Sequence, residues 1–290
     1  MARFTMISRR GFVASAAAAG FTHSFGPVAA QAQGDLLAQL KQAGVIKVGL
    51  ANQPPYSGLN PDGSINGFVP TLVQRIMAQL GVPKVEGLVA TYGELVPGLQ
   101  AGRWDMIGAS FRLTKERCAI VQFTDPVTFD GGAIAYVPAD VAKPPRSLAE
   151  AGSQKTTLGI LQGSYLIKLA EDKGVDRGVV SQFPNNPSLI DGLLAKRVQV
   201  VASTYASLRE LQRQRQGRFE IVYPIPDDPP VGSAPAFRRQ DAALHAAFQD
   251  RLRAMNKSGE LTKLAAEFGF EAPPADMQGI SADTACARVS

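Results

Sequence analysis

Histidine is almost missing from this chain: 290 residues hold only His23 and His245. Cysteine is equally scarce, limited to Cys118 and Cys286, and tryptophan occurs once, as Trp104. There is no H-E-x-x-H pair, no cysteine–histidine cluster at metal-ligand spacing, no G-x-S-x-G elbow and no G-x-x-x-x-G-K-[ST] loop. These gaps remove the commonest zinc, serine-nucleophile and nucleotide chemistries, and no cofactor is expected. His245 lies on a helix read as surface-facing, where a solvated role is expected. No apolar run approaches the roughly 20 residues a membrane span requires.

Negative charge is missing from the first 34 residues, where no Asp or Glu precedes Asp35, while Arg3, Arg9 and Arg10 stand there. The net charge of +5 comes from 30 basic and 25 acidic residues; without those three arginines it is 27 against 25, or +2. No basic block remains that would suit nucleic acid. With 45% hydrophobic and 19% charged residues the composition is that of a folded globular chain.

The opening residues read as an address. Ser8-Arg9-Arg10-Gly11-Phe12-Val13 has the form of a twin-arginine signal, an alanine-rich run follows to Gly20, and Ala30-Gln31-Ala32 offers a small-x-small cleavage pattern. The pattern predicts a signal peptide over 1–32 and a periplasmic protein exported by the twin-arginine route. The apolar run is too short for an anchor, and no cysteine follows the cleavage point to carry a lipid. Export permits disulfides, yet two cysteines far apart establish none. Cys118, in an amphipathic stretch, reads as a buried thiol, and Cys286 lies in a tail of small residues.

From Asp35 onward strand and helix signals alternate. Strands are expected at 45–50, 85–89 and 104–109, with helices at 69–80 and 92–101 between them. After Lys143-Pro144-Pro145 the order repeats, with strands at 157–160, 179–183 and 198–202 and helices at 164–171 and 189–195. A helix over 204–216, strands at 219–222 and 233–237, and helices over 241–258 and 261–268 complete the chain. Alternation at this spacing implies parallel sheet units. Two similar halves joined near 133–138 and 232–237 predict an α/β fold of two lobes with two crossings. The boundaries read as lobe 1 over 33–137 and 233–272, lobe 2 over 138–232, and a C-terminal tail over 273–290. Such a layout puts a cleft at the junction, the usual place for a small ligand, with hinge closure as the matching motion.

Several spaced blocks then carry a family likeness: Gly67-Phe68, Leu95 to Asp105, Leu113-Thr114-Lys115-Glu116-Arg117, and Val121-Gln122-Phe123-Thr124-Asp125-Pro126. The chain resembles the polar amino-acid solute-binding proteins of family 3, which have a type II periplasmic-binding-protein fold. Ala51-Asn52-Gln53-Pro54-Pro55-Tyr56, Glu116-Arg117-Cys118 and Phe183-Pro184-Asn185-Asn186-Pro187-Ser188 bring it nearest to the binders of ectoine and hydroxyectoine. The resemblance implies a monomer that holds a small carboxylated solute between its lobes and hands it to an ABC importer permease. It gives Arg117, in the T-x-x-R block, the role of ligand-carboxylate partner, which suits a planar guanidinium fork. It places Ser110 and Arg112 on the loop that faces the same carboxylate, Gly163 and Ser164 at a helix start offering amides, and Tyr92 and Tyr56 as pocket aromatics.

The likeness also has departures. Family members hold an α-ammonium with an Asp where this chain has Thr204, and ectoine binders carry an acid where it has Gln53. Arg112 stands where those binders place an aromatic. Each change removes negative charge or adds positive charge, so the expected ligand is an anionic or zwitterionic carboxylate, with a second acidic group facing Arg112. Two rival classes remain. A periplasmic enzyme of dehydratase type on this fold would need cleft acids that Gln53 and Thr204 take away, so no catalysis is expected. A sensory module normally carries a membrane span and signalling domain.

Overall fold

The computed structural model describes residues 35–289, so the signal expected over 1–32 lies outside the described residues. The chain begins with α1 (Leu36–Ala43), β1 (Val45–Leu50), the short pair β2 (Gly58–Leu59) and β3 (Ile65–Asn66), then α2 (Phe68–Gln79), β4 (Lys84–Val89) and α3 (Tyr92–Gln100). It continues through β5 (Met106–Arg112), α4 (Lys115–Ile120), β6 (Gln122–Phe123) and β7 (Thr128–Asp130). A second run follows: β8 (Gly132–Tyr136), α5 (Leu148–Ser153), β9 (Leu158–Leu161), α6 (Tyr165–Asp172), β10 (Val180–Phe183), α7 (Asn186–Leu194), β11 (Val200–Thr204), α8 (Tyr205–Gln214) and β12 (Glu220–Val222). The chain ends with β13 (Val231–Phe237), α9 (Ala242–Ser258), α10 (Glu260–Glu267) and α11 (Ala282–Arg288).

These strands form two sheets of matching design. The first runs β4-β1-β5-β13-β6, with β7 also on β13; β1 is parallel to β4 and β5, and β13 is antiparallel to β5. The second runs β10-β9-β11-β8-β12; β9 is parallel to β10 and β11, and β8 is antiparallel to both its neighbours. Each lobe is therefore an open α/β sheet whose apolar faces are covered by helices. In α2, Phe68, Val69, Leu72, Val73, Ile76 and Met77 recur at one-turn spacing and all are fully buried. Each such side chain contributes roughly 1.5–3 kcal/mol by leaving water. All seven residues of β5 are buried, as expected of a central strand covered on both faces.

The chain passes between lobes twice, at Gly131 and over 223–230. Gly131 and Gly132 let the two passages touch: a Cβ on Gly131 would lie 2.8 Å from the Asp228 carbonyl, and one on Gly132 2.6 Å from the Asp228 carboxylate. The crossing thus comes earlier than the expected boundary at 137. Residues 132–136 belong to the second sheet because β8 pairs with β11 and β12.

Two further expectations are corrected. Cys118 is no free thiol; it is bonded to Cys286, across 168 positions. The tail packs as well, with Ala285 buried beside Leu95, Trp104 and Phe111 in the core cluster of the first lobe. His245 is half-buried rather than free in solvent: its ring, edge-on to Phe237, bonds through Nε2 to the Phe123 carbonyl at 2.8 Å. Burial lowers its pKa. No helix among the described residues is long and apolar enough to cross a membrane.

Candidate functional site

Local signals aim the key side chains at the cleft. Thr91 and Glu94 form a capping box at the start of α3, which sets Tyr92 at the first helical position. Thr114 caps α4, its Oγ1 accepting from the Arg117 amide at 3.3 Å, and holds Arg117 in the first turn. Ser164 caps α6 by accepting from Leu166 N at 3.2 Å, which leaves Tyr165 facing the first lobe. Gly163 approaches the first lobe so closely that a Cβ there would stand 2.0 Å from Gly93 N.

Arg117 meets carbonyls and a ring. Nη1 donates to Arg112 O at 3.0 Å and Nη2 to Gly163 O, across the lobes, at 3.3 Å, while the guanidinium lies 3.9 Å from the Phe111 ring centroid. Among the described residues no carboxylate pairs with it. Burial depresses its pKa to about 10. The Tyr92 ring lies parallel to Phe111, 6.3 Å between centroids, and donates its hydroxyl to Gln53 Oε1. Gln53 in turn donates to Thr204 Oγ1 of the second lobe at 3.1 Å. Ser207 Oγ adds another interlobe bond, to Pro54 O at 2.8 Å.

The structure brings the sequence-predicted residues together. Gln53, Tyr56, Tyr92, Ser110, Arg112, Arg117, Ser164 and Thr204 line one enclosed space, and Gly163 borders it through its bond with Arg117. Some roles differ from expectation. Ser110 Oγ is engaged with Thr128 Oγ1 at 2.6 Å, and Ser164 N donates to Leu161 O at 3.0 Å, so that amide is not free. Gly163 presents its carbonyl to Arg117.

The largest correction concerns charge. Arg112 does not await a second acid on the ligand. It is buried and already paired: Nη2 reaches Asp228 Oδ1 at 2.6 Å and Pro229 O at 3.1 Å, Nη1 reaches Asp130 O at 2.9 Å, and its guanidinium lies 4.2 Å from the Tyr165 ring centroid. Tyr165 also donates to Asp228 Oδ2 at 2.6 Å. The expectation that the cleft lacks acids fails for the same reason. Asp130 lines the cavity, its Oδ2 accepting from Tyr56 OH and from Ala206 N, the latter at 3.1 Å. Burial raises the pKa of both Asp130 and Asp228. Sequence reasoning missed Asp130, Asp228 and Tyr165. The Gly131-Gly132 pair beside Asp130 was the available hint.

The space enclosed by these groups is about 20 Å³, room for roughly one water molecule. A far larger trough of about 1550 Å³ runs along one flank, past Pro55, Tyr205, Tyr223 and Phe270. It is open, and Arg253 on its wall pairs with Asp125 at 2.9 Å. The small interlobe cavity, not the trough, gathers the residues singled out from the sequence; Asp130 borders both. Among the described residues no group of three or more His, Cys, Asp or Glu stands ready for a metal ion.

Comparison with known proteins agrees with this architecture. The model of a family described as bacterial extracellular solute-binding proteins, family 3, matches residues 46–271. A "Probable amino-acid ABC transporter periplasmic-binding protein" of Sinorhizobium fredii is 26% identical over 244 residues, 81% of this chain and 80% of that protein. The crystal structure of EhuB in complex with hydroxyectoine superposes with a TM-score of 0.81 at 30% identity, covering 86% of this chain and 97% of the other. An ancestral amino acid-binding protein, a precursor of cyclohexadienyl dehydratase, shares the fold at 22% identity and a TM-score of 0.70, over 81% and 100% of the two chains. Two-lobed type II binding proteins are thus its structural neighbours, and the fold can also lead to enzymes.

Proposed function

The chain belongs to the bacterial extracellular solute-binding proteins, family 3, and we propose that it closes its two lobes on a small carboxylated solute for delivery to an ABC importer. The observation that carries this reading is Arg117. A partly buried guanidinium is held by carbonyls from both lobes and by the Phe111 ring, with no carboxylate of its own. A ligand carboxylate would supply the missing charge bidentately. Ligand pockets generally need several hundred Å³, so admission requires the lobes to part at Gly131 and 223–230. Closure would then bring Gly163 and Thr204 back against the first lobe.

An amino acid or an amino-acid derivative such as ectoine fits this grip. Likeness to EhuB and to amino-acid binding proteins supports that class. The Cys118–Cys286 bond suits an oxidising compartment, and with the twin-arginine pattern it supports export to the periplasm. We take the working unit to be a monomer docking on a permease. Catalysis is set aside because the acids beside the cavity are engaged with Arg112, Tyr165 and Tyr56.

Thermal shift of the mature protein against amino acids, ectoines, betaines, opines and dicarboxylates tests the reading. Ligand at 100 times its dissociation constant should stabilise by about 2.7 kcal/mol. A carboxylate is expected to shift the wild type and not Arg117→Ala. An equal response from the variant would remove Arg117 from the site, and conversion of the ligand detected by NMR would restore the enzymatic reading.

A further inference from the structure

Four formal charges converge at the cavity. Arg112 and Asp228 neutralise each other directly, with both side chains under a tenth exposed. Two charges remain. Arg117 faces carbonyls, and Asp130 faces hydrogen-bond donors that carry no charge: Tyr56 OH and the Ala206 amide in the first turn of α8. The guanidinium near Asp130 is that of Arg112, which reaches the Asp130 carbonyl and directs its other nitrogen to Asp228. One cation and one anion thus stand without a direct ion-pair partner on the walls of one small space, Arg112 acting on Asp130 only at a distance.

A dicarboxylate or plain anion would satisfy Arg117 and meet repulsion at Asp130. A plain cation would do the reverse. We infer that Asp130 reads the positive end of the ligand, so that the cleft is built for a zwitterion with its carboxylate on Arg117 and a protonated N–H nitrogen on Asp130. This rests on the proposed grip of Arg117 and adds to it the specificity-determining group. The N–H matters because a carboxylate that takes donors from Tyr56 and from the Ala206 and Gly131 amides has acceptor capacity left for one more. The acid thereby comes from the strand before the hinge, not from the positions that Gln53 and Thr204 fill. Burial disfavours the ionised carboxylate in the free protein, and a bound cation would relieve that penalty.

Isothermal titration of the mature protein, Asp130→Asn and Arg117→Ala tests this with ectoine, L-glutamine, glycine betaine and succinate as probes. Ectoine or glutamine, each with an N–H cation, is expected to bind more tightly than betaine or succinate. Asp130→Asn should weaken that binding about 10- to 100-fold, the range for losing a hydrogen bond to a charged group, and leave succinate unchanged or improved. Zwitterion binding that survives Asp130→Asn, or succinate as the tightest wild-type ligand, overturns the assignment. Loss of binding in Asp130→Asn but not in Arg117→Ala would instead sink the carboxylate grip. A second readout needs no ligand: the melting temperature of free Asp130→Asn should rise, because a buried carboxylate with no ion-pair partner has been removed. If it falls, Asp130 is a matched structural group and the inference is wrong.

Discussion

Arg112, at the end of β5, and Arg117, in α4, border the same cleft five residues apart, and their surroundings treat them in opposite ways. Around Arg112 the fold supplies a carboxylate, two carbonyls and the Tyr165 ring. Around Arg117 it supplies two carbonyls and the Phe111 ring, and no counter-charge. The first neighbourhood is finished as it stands and fastens the second passage between lobes to β5. On the proposed reading, the second is finished by the carboxylate of a ligand, so that matched charge in this cleft serves structure and unmatched charge serves recognition.

That contrast can be broken most forcefully at Arg112. Arg112→Ala leaves Asp228 buried without its partner and should lower stability by about 3–5 kcal/mol, the range for breaking a buried pair. Chemical denaturation measures this, and Arg112→Met with Asp228→Leu should recover most of the loss, since apolar replacement of both members is often neutral or better. Arg117→Ala should do the converse. It would weaken carboxylate binding by about two orders of magnitude while the denaturation midpoint of the free protein stays or rises. Titration calorimetry beside a melt separates the two effects.

A smaller effect is expected where α4 is fastened to the tail. Cys286→Ser, or mild reduction, should cost about 2–4 kcal/mol, seen as a fall of roughly 5–15 °C in melting temperature for a chain of this size. It sharpens the comparison because α4 buries none of its own side chains and carries Arg117, so ligand affinity should fall along with stability. In Arg112→Ala stability falls first. The mildest effect concerns His245. Its pKa is lowered by burial, so the unfolded chain binds the proton more readily. Its contribution is complete above the unfolded value of about 6.5 and is lost as pH falls below that. Denaturation midpoints between pH 7.5 and 5 should decline less in His245→Gln than in the wild type.

Local periodicity made much of the architecture readable. The 3.6-residue spacing over 69–80 becomes α2, and the short apolar run at 45–50 becomes the strand from which both parallel neighbours hang. What stayed hidden is paired across distance. Residues 132–136 form a brief apolar run whose neighbour at 200–204 lies far along the chain, and nothing nearby signals that pairing. Asp228 sits in Asp227-Asp228-Pro229-Pro230, which reads as a turn; its true partner is 116 positions away. The Cys118–Cys286 link spans further still. At the site, residue types pointed to Arg117 and the tyrosines, but a charge balance depends on every acid that folding brings in. Asp130 and Asp228 arrive from the two passages between lobes, which carry no motif.

The two passages have one more consequence. Everything from β8 to β12 leaves the first lobe at Gly131 and returns by Asp228, and at that point the outgoing and returning chains are in van der Waals contact. Both ends of the described chain, α1 and α11, pack on the first lobe. The second lobe is therefore a self-contained insertion, entering and leaving its host through a single doorway. A short loop could span that doorway, since the outgoing and returning chains already lie side by side there.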